Sequence, residues 1–531
     1  DLARSLAQHL LAAADAAAAH NAWARLCGRP ESGRAWQQLS RLAWSSWRCY
    51  WGRPPWRGAN FGGWLLLEPG PSAELWEEAA ASEGIDDEHG LCAQLPEERR
   101  RELLEAYRKR WLGEEEFKFL AAHGLNAIRV PFGYWVATGP TNGDPFVGPA
   151  LEHLDRVVDL AERFGVQVVL DLHANPGGES GDPPSGRHDR GWTEACWRRG
   201  EALEVLRIVA ARYSGRKAVA GLQVANEPSR RCSMGALCSW YEDAVKTIRG
   251  AGMLPGDVAV VLPVYGYDRL EEFVTTWMSR GNFLRFENVA LDLHYYHCFG
   301  RGWEDLSHEA HLSLVERHGR ALRSLPGAVV GEWSLARPSE VSERDAAVRA
   351  FGDEQLRAYA GASHGWFFWN YCDGEDLWDL STCLENGWLP QDLGAVPVSP
   401  DGAAETEEAC GERGPPPGRF PQCYGAEERR LVLGAAAAAG SASISIAARG
   451  LAEALGCPCT VAAEALAACG GDEAAAAALL LDGSAAAGDA GEAAAPTPSP
   501  EPPPVSLAST EVAGEHVVAA SPGRKRPRSP S

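Results

Sequence analysis

Gln223-Val224-Ala225-Asn226-Glu227-Pro228 is the stretch from which the fold can be read. An apolar run, Ala220 to Ala225, stops abruptly at Asn-Glu-Pro. Pro228 has no N–H to continue a ladder, and it biases Glu227 toward extended backbone. The pattern therefore predicts a buried strand over Gly221–Glu227, with Asn226 and Glu227 at its C-terminal end. A strand buried on both faces tolerates few charges, so an acid at its end asks for a chemical reason. Ala328-Val329-Val330-Gly331-Glu332-Trp333-Ser334 has the same form, an apolar run closed by a glutamate. Two carboxylates that each close a strand are what glycoside hydrolysis by general acid and nucleophile requires.

Working outward, apolar runs of strand length recur on both sides. They are Gly58–Leu65, Asn126–Phe132, Gln167–His173, Val258–Val264, Val289–Tyr296 and Trp366–Tyr371, which with Gly221–Glu227 and Ala328–Trp333 make eight. Helical patterns such as Leu151–Phe164 and Glu201–Tyr213 lie between them. Strands alternating with helices predict an α/β fold, a (β/α)8 TIM barrel over residues 51–397. A doubly wound sheet alternates too. The polar residues that close these strands decide between them: Asn60, Arg129, His173, Asn226 with Glu227, His294 with Tyr296, Glu332, and Trp369 with Asn370. A barrel gathers such ends around one mouth, whereas an open sheet spreads them along an edge.

The flanks differ in texture. Residues 1–50 carry Leu2, Leu6, Leu10 and Leu11 at helical spacing and read as an N-terminal helical extension. Residues 398–433, rich in Gly, Pro and Glu, read as a linker. Residues 434–485 are Ala-rich and suit a small C-terminal all-α module. Residues 486–531 are too poor in large apolar side chains to fold alone and read as a disordered tail, ending in the basic cluster Arg524-Lys525-Arg526-Pro527-Arg528.

A net charge of −22 argues against a nucleic-acid-binding body, which needs a basic face. No apolar run reaches the length of a membrane-spanning helix. The 14 cysteines lack metal-type spacing and leave the redox compartment open. The 20 tryptophans are an excess that favours, slightly, a protein that handles sugars on flat aromatic faces. The chain begins at Asp1, and a cleaved signal peptide is neither assigned nor ruled out.

The strand-end residues suit a retaining glycosidase. Glu332 would attack the anomeric carbon, while Glu227 would protonate the leaving oxygen and later activate water. Glu227 is then expected to be protonated at rest, its pKa raised by the nearby charge of Glu332. Arg129 is the expected counter-charge for Glu332. Asn226 would bind a sugar 2-hydroxyl, and His173, His294 and Tyr296 would fix hydroxyls or orient the nucleophile. Trp369 would lie under the sugar ring. No cofactor and no metal is expected. Taken singly, each residue has a plainer reading: Arg129 as a structural ion pair, His173 and His294 as hydrogen-bonded core, Trp369 as packing. A metal site from His173, His294 and a Glu is the rival chemistry, disfavoured because no pair has the i, i+4 spacing of a zinc protease helix.

At these residues the chain resembles glycoside hydrolase family 5, and within it the glucan 1,3-β-glucosidase (exo-β-1,3-glucanase) branch. The similarity runs from Arg57 to about Pro390 and includes Arg57–Pro69, Asn126–Trp135, Asp171–Gly177, Asn226–Pro228, Asp292–Tyr296, Gly331–Ser334 and Trp366–Tyr371. The resemblance implies a β-glucan or β-glucoside substrate, a contact from Glu68 to the terminal glucose, and Phe299 as an aromatic clamp at the pocket entrance. One loop departs from the pattern. Where that branch carries a Phe-Asp-Asn-Ser-Gly-like segment, this chain reads Gly181-Asp182-Pro183-Pro184-Ser185-Gly186-Arg187. The aromatic and the Asn are gone, so an endo-β-glucanase or a β-glucosidase of another linkage is the alternative. Leu455-Gly456-Cys457, Ala463–Leu466, Gly470-Gly471-Asp472 and Ala476–Leu481 resemble a ubiquitin-associated (UBA) domain, which implies ubiquitin as a partner through 434–485. A non-catalytic carbohydrate sensor or ubiquitin adaptor is the rival from another class. Family relatives are mostly secreted, whereas a UBA-like module and a basic tail fit the cell interior, so no compartment is assigned.

Overall fold

The computed structural model describes residues 53–395, except 281, 300, 301, 326 and 339–344. The expected N-terminal helices, the linker, the UBA-like module and the tail lie outside the described residues. Eight strands, β1 (Trp56–Asn60), β2 (Ala127–Gly133), β3 (Gln167–Ala174), β4 (Val219–Gln223), β5 (Ala259–Pro263), β6 (Val289–Tyr295), β7 (Ala328–Trp333) and β8 (Gly365–Phe368), form a closed parallel barrel in chain order. β8 pairs with β1 to complete it. Helices connect the strands and cover them from outside. The helix Leu151–Phe164 shows why: His153, Leu154, Val157, Val158, Leu160 and Ala161 are buried, and Gly165 at φ 68° ends it in a left-handed cap. No helix among the described residues is long and apolar enough to cross a membrane.

Side chains along a strand alternate between the barrel interior and the helical layer. The floor of the interior is apolar: Trp56, Ala127, Val169, Ala220, Ala259, Val261, Ala290, Val329 and Phe367 form one buried cluster. Two residues further along β2, β3 and β6, the same face presents Arg129, Asp171 and Asp292, all at most 1% exposed. Two further again, β3 and β6 present His173 and His294. The period of two thus stacks an ionic layer on an apolar floor, at the C-terminal end where barrel enzymes keep their chemistry.

Three expected boundaries are corrected. The first strand stops at Asn60 and does not run to Leu65, because the chain turns at Gly63 (φ 74°), and Leu65 makes only an isolated bridge to Phe132. Glu68 therefore stands on a loop. β4 ends at Gln223, whose Nε2 donates to the Ala225 carbonyl 2.9 Å away. Asn226 and Glu227 follow the strand and are not part of its ladder. β8 stops at Phe368, so Trp369 and Asn370 also lie just beyond their strand.

Candidate active site

Arg129 is the hub of the barrel mouth, and it is 1% exposed. Four of its five N–H groups donate hydrogen bonds. Nε donates to Gln223 Oε1 (3.0 Å), Nη1 to Asn60 Oδ1 (2.7 Å) and Glu332 Oε1 (2.9 Å), and Nη2 to Asn226 Oδ1 (3.1 Å). Nη2 also pairs with Asp171 Oδ2 at 3.0 Å, and Asp292 Oδ2 lies 3.9 Å away. Burial opposes the cation, but Asp171, Glu332 and Asp292 hold its pKa above the ordinary value. The expected Arg129–Glu332 pairing is present, and it is one arm of a larger network.

Glu332 is 5% exposed and held by both oxygens. Arg129 takes Oε1, and the Tyr296 hydroxyl donates to Oε2 at 2.8 Å. Burial pushes the Glu332 pKa up, yet His294, Arg129 and the Tyr296 hydroxyl outweigh it, so the carboxylate stays below its usual range. Glu227 sits opposite. His294 Nδ1 is 2.7 Å from Glu227 Oε1 and 3.3 Å from Glu332 Oε2, while its Nε2 is 3.1 Å from Asp292 Oδ2. Desolvation disfavours a charged His294, but Glu332 and Asp292 prevail and its pKa rises well above the ordinary imidazole value. Asp292 is itself fixed by the Gly331 N–H at 2.7 Å. A Cβ at Gly331 would fall 2.2 Å from Asp292 Oδ1, so only glycine fits there.

The remaining expected residues surround this core. His173 Nδ1 is 2.6 Å from Asp171 Oδ2, and its ring stacks on Trp369 with centroids 5.8 Å apart. Trp369 is 6% exposed, with its ring against Gly62, where a Cβ would come within 2.8 Å. Glu68 has a buried Oε1 without a hydrogen-bond partner among the described residues. Burial and the charges of Glu332, Asp373 and Glu227 push its pKa well above the carboxylate range. Phe299 is 54% exposed and packs edge-on against Tyr296 at 5.2 Å. The substituted loop is pinned back: Ser185 Oγ donates to the carbonyls of Ser180 (3.0 Å) and Asp182 (2.7 Å), leaving Asp182 exposed.

Several residues were missed by the sequence reading. Asp171 and Asp292 anchor Arg129 and the two histidines. A signal for them exists, since Asp171-Leu172-His173 and Asp292-Leu293-His294 each place Asp and His two apart, on one strand face. Gln223 locks Arg129. Trp378 packs on Tyr296 (5.1 Å) and Phe299 (5.7 Å). Tyr265, 37% exposed after β5, has its phenol pKa raised by the charge of Glu227, by burial and by Asp182.

Among the described residues, two groups bring three metal-type donors within 4.8 Å of one another, Glu105–Glu152–His153 and Glu227–His294–Glu332. In the second, both ring nitrogens of His294 face carboxylates and the imidazole is held protonated, which is not a ligand state. His173 belongs to neither group, so the rival set of His173, His294 and a Glu does not come together among the described residues.

A sequence profile described as "Cellulase (glycosyl hydrolase family 5)" matches residues 101–375, over half of the chain. The chain belongs to glycosyl hydrolase family 5. This family 5 protein is a glycoside hydrolase, and its relatives narrow the comparison. It is 30% identical over 385 residues to "Probable glucan 1,3-beta-glucosidase A" of Emericella nidulans, covering 64% of this chain and 90% of the relative. It is 27% identical over 386 residues to "Glucan 1,3-beta-glucosidase" of Schwanniomyces occidentalis, covering 63% and 87%. The crystal structure of a rutinosidase from Aspergillus niger shares the fold, with a TM-score of 0.51 at 20% identity over 64% of this chain and 98% of that one.

Proposed function

We propose that this family 5 enzyme is a retaining β-glucosidase acting on β-1,3-linked glucan, with Glu332 as nucleophile and Glu227 as acid/base. The observation that carries this reading is that one oxygen of Glu227 and one of Glu332 lie within 4.8 Å of each other, both facing His294 Nδ1. Retaining enzymes hold the pair about 5–5.5 Å apart, whereas inverting ones need about 6.5–9.5 Å to admit a water. Glu332, ionised and clamped at both oxygens, attacks the anomeric carbon. Glu227 gives its proton to the leaving oxygen, and the carboxylate so formed is held by His294 Nδ1, 2.7 Å from Glu227 Oε1. Water then enters on the leaving-group side, Glu227 takes its proton, and the ester to Glu332 breaks with net retention. Asn226, held by Arg129 through its oxygen, keeps its amide N–H groups for a sugar 2-hydroxyl. Glu68, kept neutral by its surroundings, offers a donor and an acceptor to the terminal glucose.

Glu227→Gln tests the acid/base role. Turnover of laminaribiose is expected to fall about 10²–10⁴-fold. A dinitrophenyl β-glucoside, whose leaving group needs no proton, should lose far less in its glycosylation step. Equal losses on both would count against Glu227.

The altered loop bears on the mode of attack. Asp182-Pro183-Pro184 offers no stacking ring and no side-chain amide to a sugar, while Phe299 and Tyr265 keep exposed aromatic rings. Early products from laminari-oligosaccharides should be dominated by glucose, with broader tolerance of linkage and aglycone than a strict exo-enzyme shows. Long oligosaccharides released before glucose would make the enzyme an endo-glucanase on the same pair. Ubiquitin binding through 434–485 rests on sequence resemblance alone, and retention of that segment on immobilised ubiquitin tests it; no retention would leave it a spacer.

A further inference from the structure

Glu227 stands beyond the end of β4, outside the ladder that fixes the backbone of a strand residue. Its aim must come from contacts made by other segments. Glu179, a buried acid that the glycosidase chemistry does not use, supplies them. It lies on the loop after β3 and is 1% exposed. Gly177 and Gly178, at φ 80° and 75°, turn that loop back on itself. The turn brings Glu179 Oε2 within 3.0 Å of the Asn175 N–H, which donates to it.

Glu179 reaches the acid/base segment at both of its ends. Before Glu227, the Asn226 N–H acts on the Glu179 carboxyl, as does the N–H of Glu179 itself. After it, the Ser229 N–H donates to the Glu179 carbonyl at 2.9 Å. Asn175, whose N–H the carboxyl takes, extends the grip, since its Nδ2 donates to the Val224 carbonyl at 3.3 Å. From other directions Arg129 Nη2 holds Asn226 Oδ1 at 3.1 Å, and Arg269 Nη1 donates to the Ser229 carbonyl at 3.4 Å. Pro228 supplies no N–H and stiffens the span between. Burial outweighs the three N–H groups on the Glu179 carboxyl, and the Asp171 charge adds to it, so the pKa rises to about 8. At neutral pH Glu179 is mostly a neutral acid, and it carries no charge that would compete with Glu227 and Glu332.

We propose that Glu179 is a positioning residue for Glu227: through Asn175, Asn226 and Ser229 it fixes the backbone from which the acid/base reaches the glycosidic oxygen. It acts through Glu227 and not on the sugar. This role rests on the glycosidase reading, with Glu227 as acid/base.

Glu179→Ala in the whole protein removes the carboxyl but leaves the carbonyl that Ser229 uses. Its kcat on laminaribiose should fall about 10²-fold, the cost of misplacing a reacting group by about 1 Å, with KM near the wild-type value. Its kcat/KM on a dinitrophenyl β-glucoside, whose leaving group needs no proton, should change by less than about threefold. Glu179→Gln keeps an acceptor and a donor in the shape of the neutral acid, and should return laminaribiose turnover to within about threefold of wild type. If Glu179→Ala does not fold, Glu179→Asp, which draws the carboxyl back by one methylene, should show the same split between substrates. Equal losses on the two substrates would make Glu179 merely structural and overturn the proposal. Unchanged laminaribiose turnover, or no rescue by Gln, would overturn it too. Added to Glu227→Gln, the Glu179→Ala change should cost less than about threefold more on laminaribiose, because the group it positions is already gone. A further loss of about 10²-fold would mean that Glu179 acts elsewhere. Failure of the glycosidase reading looks different: Glu227→Gln alone would then show no preference for the activated substrate, and the role of Glu179 would fall with it.

Discussion

Glu332→Ala should lose at least about a thousandfold in turnover while remaining folded. Folding should survive because Arg129 keeps Asp171 as a partner at 3.0 Å when Glu332 is gone. The Tyr296 hydroxyl loses its acceptor, but it lies at the open mouth, where water can replace it. The cavity left by the carboxylate is the right size and place for a small nucleophile. Added azide should therefore restore part of the activity on an activated aryl β-glucoside and yield the α-glucosyl azide. Near-normal turnover, or a β-configured azide, would contradict the assignment of Glu332.

Arg129→Met should be the most destabilising single change at the site. It leaves Asp171, Asp292 and Glu332 buried without the cation they share. Breaking a buried pair by removing one partner costs about 3–5 kcal/mol. The sign with pH follows from Glu332. Its folded pKa is depressed, so its contribution to stability is present above the unfolded value of about 4.3 and is lost as pH falls through the folded one. Without Arg129 the depression shrinks. The acid limb of the pH–rate profile should then move to higher pH, together with a lower thermal midpoint. An unchanged midpoint and an unchanged acid limb would show that the network does not depend on Arg129.

What the sequence made legible was periodic, and what it hid was tertiary. The helix Leu151–Phe164 and the strand Ala328–Trp333 begin and end where their patterns put them, because burial of one face, or of both, dictates residue type throughout. Glu227, Glu332 and Arg129 were visible as charges closing apolar runs. The first strand reads too long because Gly58–Leu65 is a single apolar run; the turn at Gly63 gives little signal when the residues after it are Trp64 and three leucines, and the part of Glu68 comes from the family resemblance alone. Asp171 and Asp292 stand inside strands, where a buried acid is tolerated only through partners from elsewhere in the barrel: Arg129 arriving from β2, the two histidines and the Gly331 N–H. The grip of Glu179 on Asn226 and Ser229 has no local signature, since the two segments follow different strands and meet only in the folded barrel.

The central claim is that Glu227 and Glu332 stand at the separation of a retaining pair. Proton NMR of the first glucose released from an aryl β-glucoside, followed before mutarotation, tests it most directly. Retention predicts that the β-anomer appears first and the α-anomer grows in only as mutarotation proceeds. Initial release of α-glucose would mean that a water, not Glu332, attacks the anomeric carbon, and would contradict the account.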